Sequence, residues 1–111
     1  MAIIHEQRGV PEIPDPKERA AVYRGVRRGL DERPEGETWT FAVHAADPQS
    51  YLFDFERNGK PFGPGLRLAI SDLHLRSAPR PDLEHVTEAV REDMELYLRL
   101  NLAEALPRYS R

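Results

Sequence analysis

Residues 38–76 read TWTFAVHAADPQSYLFDFERNGKPFGPGLRLAISDLHLR, and the alternation within them decides the fold. Trp39, Phe41 and Val43 alternate with Thr38, Thr40, Ala42 and His44. Tyr51, Phe53 and Phe55 alternate with Leu52, Asp54 and Glu56, and Leu66, Leu68 and Ile70 with Arg67, Ala69 and Ser71. Side chains on a strand point to opposite faces with period two, so each segment predicts a half-buried strand. The apolar parity slips after Ile70, where Leu73 and Leu75 take the other phase. That slip predicts a bulge or a strand end near Ser71 and Asp72.

The connections are written in turn chemistry. Asp47 and Pro48 combine a side-chain acceptor with a fixed φ, which predicts a turn between the first two strands. Asn58 and Gly59 form the strongest dipeptide for a tight hairpin, and the chain then continues through Lys60, Pro61, Phe62, Gly63, Pro64 and Gly65. The expectation is a shaped loop longer than a minimal turn, with Phe62 exposed at its tip.

Amphipathic segments flank the strands. Asp15, Pro16 and Glu18 make a helix start, with an N-cap, a proline at the first helical position and an acid in the first turn. Val22, Tyr23, Val26 and Leu30 follow at helical spacing. Gly25 and Gly29, four residues apart, lie on one helix face and predict close packing against the C-terminal helix. Asp82 caps a second helix whose apolar stripe is Leu83, Val86, Val90 and Met94. Leu96, Leu98, Leu100 and Leu102 alternate as a strand would, yet their neighbours are good helix formers. The preferred reading is one helix to about Leu106 stopped by Pro107, with a strand over 95–102 as the alternative.

The fold expected is therefore α+β: a three-stranded antiparallel sheet in the order helix, strand, strand, strand, helix, with both helices on one face. Ala2 to Ile4, or residues 95–102, supply the candidates for an extra edge strand. Residues 1–14 read as an N-terminal arm or edge strand, 15–106 as one domain, and 107–111 as a short tail. A chain of 111 residues buries roughly two thirds of its unfolded surface, enough for a single core.

Composition excludes several classes. No cysteine is present, so disulfides, thiolate nucleophiles and cysteine zinc sites are ruled out. No apolar run approaches the roughly 20 residues that span a bilayer, and no signal peptide opens the chain, so no membrane role and a cytoplasmic location are expected. The net charge of −3 disfavours nucleic-acid binding through overall attraction. Of the basic residues only Lys17 and Lys60 are lysine, a bias that GC-rich bacterial-like coding explains.

Three sets of residues are candidates for function. His44, Asp54 and His74 share the outer strand parity and have side chains suited to acid–base or metal chemistry, but no metal-binding spacing accompanies them. Arg24, Arg27 and Arg28 on the first helix, with Arg76 and Arg80, can contact phosphates. The first helix carries +3 over residues 15–30 and the last −5 over 82–95, so mutual neutralisation between packed helices is the stronger reading. Leu96, Leu98, Leu100, Leu102 and Leu106, together with Phe62, give more apolar surface than one face of a small sheet covers.

The helix, three strands, helix order resembles in outline a double-stranded-RNA-binding domain. Asp82 and Glu84 stand where such a domain places basic residues, so nucleic-acid binding does not carry over. The functional expectation is a small non-enzymatic regulatory or interaction protein that acts as a homodimer, docks a protein partner through the leucine-rich segment, and needs no cofactor or metal. Nucleic-acid binding through the basic first helix is the first alternative. A small enzyme using His44, Asp54 and His74 is the second.

Overall fold

The structure, a computed structural model, describes residues 1–76 and 82–102. Arg80, Leu106, the stop at Pro107 and the tail fall outside the described residues. The chain runs β1 (Ile3–Glu6), α1 (Pro16–Leu30), β2 (Thr38–Asp47), β3 (Ser50–Arg57), β4 (Lys60–Pro61), β5 (Leu66–Ala69), α2 (Ile70–Arg76) and α3 (Leu83–Leu102). The α+β class holds. The sheet is larger than expected, with five strands, and it is mixed rather than antiparallel.

The difference comes from the two ends of the strand region. The N-terminal arm supplies β1, which pairs in parallel with β2 from Ile3 opposite Thr38 to Glu6 opposite Phe41. On the far side, β4 and β5 lie end to end along β3: Arg57 faces Lys60, and Tyr51 faces Leu68. Asn58 (φ 55°) and Gly59 (φ 83°) both take the left-handed conformation, so they close a two-residue hairpin whose twist suits the flanking strands. The expected long loop is thus a minimal turn followed by a separate loop at 62–65. Residues 95–102 are helical, and the strand alternative there is overturned because α3 runs unbroken from Leu83 to Leu102.

The strand end expected near Ser71 and Asp72 lies at Ala69, where β5 passes directly into α2, so Ile70, Ser71 and Asp72 form the first turn of that helix. The parity slip was the trace of a helical turn: Leu73 is buried at 1% exposure, while Leu75, read as strand, stands 72% exposed.

The inner face of the sheet carries the core. Trp39, Phe41, Val43, Tyr51, Phe53 and Phe55 are buried, and α1 and α3 pack across them. Asp15 caps α1 by accepting from Lys17 N (2.9 Å), as its sequence predicts. The two helices touch closely because Gly25 and Gly29 lack side chains. A Cβ on Gly25 would lie 2.6 Å from both Thr87 O and Val90 Cβ, and one on Gly29 would lie 2.5 Å from Met94 Cβ. Thr87, fully buried, bridges this seam by donating its hydroxyl to Ala21 O (2.9 Å).

Candidate functional site

The C-terminal half of α3 sorts its leucines by angle. At 100° per residue, Leu96 and Leu100 lie together on the flank turned away from Met94 and the α1 seam, whereas Leu98 lies near Met94. Leu98 is accordingly buried at 6%, and Leu102 is half-buried against the core. Leu96 and Leu100 remain 47% and 64% exposed. Leu98 therefore belongs to the core rather than to a partner surface, and Leu106 lies outside the described residues. The sequence could not separate these leucines without knowing which arc of the helix meets α1.

Phe62 requires the larger correction. It was expected at an exposed loop tip, but it is 8% exposed and plugs the end of the core. Its ring meets Trp39 edge-on at 4.8 Å and Tyr97 at 6.1 Å, and the Arg57 guanidinium lies 5.1 Å over it. The Tyr97 hydroxyl donates to Phe62 O and accepts from Gly65 N, both at 3.0 Å, which folds the 62–65 loop inward. Nothing local in the sequence signals that hydroxyl's two bonds, because Tyr97 is 32 and 35 residues from its partners.

The basic residues are mostly engaged. Arg28 reaches Glu84 at 2.6 Å and Glu88 at 2.9 Å, joining α1 to α3 as the opposite charges of the two helices predict. The hydrogen bond that Arg28 donates to Glu84 leads in holding its own pKa above the ordinary value; Glu88 sits below the usual carboxylate range mainly through Arg91. Arg27 meets Glu6 of β1 at 3.2 Å. Arg76 meets Glu92 at 2.6 Å and Asp93 at 2.7 Å, with Asp72 at 3.8 Å. Burial opposes the Arg76 charge, but these acids outweigh it and raise its pKa. Of the five arginines proposed for phosphate contact, Arg24 alone among the described residues has no ion pair, and Arg80 lies outside them.

The polar set His44, Asp54 and His74 does not converge. His44 and Asp54 share the outer face and meet at 2.9 Å through Nε2. The other ring nitrogen, Nδ1, lies 3.0 Å from Val10 N and 3.1 Å from Val10 O, so it has a partner on the arm in either tautomer. Both nitrogens are therefore occupied, and His44 pins the N-terminal arm to the sheet instead of serving as a free base. His74, moved off the strand by α2, lies in the helical layer 3.4 Å from Glu18 Oε1. The same Glu18 accepts from the hydroxyl of Tyr51 on the inner face. Burial first, and then that carboxylate, pushes the Tyr51 phenol far above its usual range. The sheet separates the two histidines, so the three-residue site is a correction. Among the described residues no group of three His, Cys, Asp or Glu can hold a metal ion, and no helix is long and apolar enough to cross a membrane.

Among the described residues the large apolar side chains left exposed are Met1, Val10 and Leu75, each standing apart, and those of two further surfaces. One is the Leu96 and Leu100 flank of α3; the other is the outer edge of β1, where Ile3 is 58% exposed. Set against family models, curated proteins and solved structures, the chain matches none of them.

Proposed function

We propose that the protein is a non-catalytic interaction protein that self-associates through the exposed flank of α3. The observation that carries this reading is the pair Leu96 and Leu100, one turn apart on a single flank and 47% and 64% exposed. Other apolar residues of α3, including Val86, Val90, Met94 and Leu98, are buried at 6% exposure or less. A second copy is the occupant that fits. The flank carries charge of both signs beside its leucines, in Glu92 and Arg99, as a self-complementary interface requires. The engagement of Arg27, Arg28 and Arg76 by carboxylates favours this reading over nucleic-acid binding, and the occupied ring nitrogens of His44 favour it over an enzyme.

Sedimentation equilibrium tests it. At micromolar concentration the native chain is expected as a dimer, and the double variant Leu96→Glu, Leu100→Glu as a folded monomer with an unchanged circular dichroism spectrum. A native chain that sediments as a monomer throughout, or a dimer indifferent to the double variant, overturns the proposal.

A further inference from the structure

The two long edges of the sheet are finished differently. On one, β4 and β5 carry Lys60, Pro61 and Arg67, with Pro64 between them, the residues by which natural sheets discourage further pairing. On the other, β1 reads Ile3, Ile4, His5, Glu6 with no proline or lysine. β1 is the terminal strand and pairs only with β2 among the described residues. At its two ends Ile3 N donates to Glu37 O (3.0 Å) and Gln7 N to Phe41 O (2.8 Å). A ladder alternates, so Ile3, His5 and the Gln7 N–H turn to β2, and the N–H and C=O of Ile4 and Glu6 face the open side.

A cleft of about 340 Å³ lies beside this edge on its helix side. Glu6, Gln7, Arg8 and Glu12 form one wall, and the α1 face of Pro16, Arg19 and Tyr23 forms the other. Tyr23 holds the walls together by donating to Gln7 O (3.3 Å). The lining holds two acids and two bases, but Glu6 is already matched by Arg27 from just outside it at 3.2 Å, so Arg8 at 2.8 Å and Arg19 at 3.7 Å share Glu12 alone, and these five charges together leave one positive in excess. Arg24, next along α1 and without an ion pair among the described residues, stands outside the lining.

We propose that β1 and this cleft form a docking groove for an extended segment of a partner protein that carries an acidic side chain. The segment adds a strand by pairing with Ile4 and Glu6, and where it continues past Gln7 its alternate side chains fall over the cleft. Backbone hydrogen bonds then supply affinity and the cleft supplies selectivity, the division of labour common to strand-addition sites. The excess positive charge on the cleft selects a carboxylate for the inserted side chain.

The test uses the full chain and a synthetic blocked hexapeptide of alternating valine and threonine with one central glutamate. Two control peptides accompany it, one with lysine for glutamate and one N-methylated at alternate residues so that it cannot pair. In amide NMR the glutamate peptide is expected to shift and protect Ile4 and Glu6. The lysine peptide is expected to bind about tenfold more weakly, a change typical of a charge set against its own sign. The N-methylated peptide should not bind. Arg8→Gln, at a residue 79% exposed, should narrow the preference for glutamate while leaving the fold intact. The proposal is overturned if the shifts fall elsewhere or are absent, or if the N-methylated peptide binds equally well. Concentration-dependent protection of Ile4 and Glu6 in the free protein also overturns it, since a second copy would then occupy the edge.

Discussion

Glu37 joins three groups at the mouth of the core. Its carboxylate takes both arms of Arg33 at 2.9 Å and the indole N–H of Trp39 at 2.8 Å. The Arg33 hydrogen bonds dominate, and the carboxyl is held below its ordinary value of 4.5 despite partial burial. A carboxyl with a depressed folded pKa contributes stability that is present above its unfolded value and lost as pH falls through the folded one. Glu37→Gln is therefore expected to lower stability at neutral pH by about 1.5–3 kcal/mol, the range for hydrogen bonds to charged groups. It should also flatten the fall in stability below pH 4.5. Urea midpoints of the two proteins between pH 7 and pH 3 check this, and parallel curves would refute it. The role of Glu37 was not legible in the sequence, where it sits in a charged loop beside Pro34 and Gly36. By contrast Gly25 and Gly29 were legible, because helical spacing alone places both on one face and a backbone contact is the simplest reason to keep them.

At the scale of elements, local chemistry wrote α1, β2 and β3 into the sequence, and long-range contacts settled the rest. The Asp15 cap with Pro16, and the aromatic alternation from Trp39 to Phe55, each specify an element from within a few residues. Residues 66–76 defeated that approach because four residues of strand and about two helical turns produce the same leucine phases as a bulged strand. The loop at 62–65 was illegible for a different reason: its shape is imposed by Tyr97 from another element. Tyr97→Phe removes one donor and one acceptor bond from that loop, so it is expected to cost about 1–3 kcal/mol. The exchange of the Gly65 amide should quicken more than that of the β2 amides. Hydrogen exchange followed residue by residue gives the measurement, and uniform acceleration across the sheet would show instead that the loop is held by Phe62 burial alone.

Over the whole molecule, the two proposed surfaces sit toward opposite edges of the same sheet. β1 is the terminal strand beside α1, while Tyr97 of α3 packs over Phe55 of β3 and over Phe62 beyond β4. Two to three strand spacings separate them, about 10–14 Å at the usual 4.7–4.9 Å each. Sites farther apart than roughly 7–10 Å with no shared partners act additively. The α1–α3 seam between them is closely packed, since Gly25 and Gly29 bring the helices into contact and Thr87 bonds across it. Self-association and strand docking are therefore expected to be uncoupled. The Leu96→Glu, Leu100→Glu variant should bind the glutamate hexapeptide within about twofold of the native chain, and saturating peptide should leave the dimer constant unchanged. Titration of both proteins with the same peptide, paired with sedimentation in its presence and absence, measures the coupling from each side. Reciprocal shifts of equal size would show that the seam moves, making the sheet a transmitter between its two edges rather than a fixed spacer.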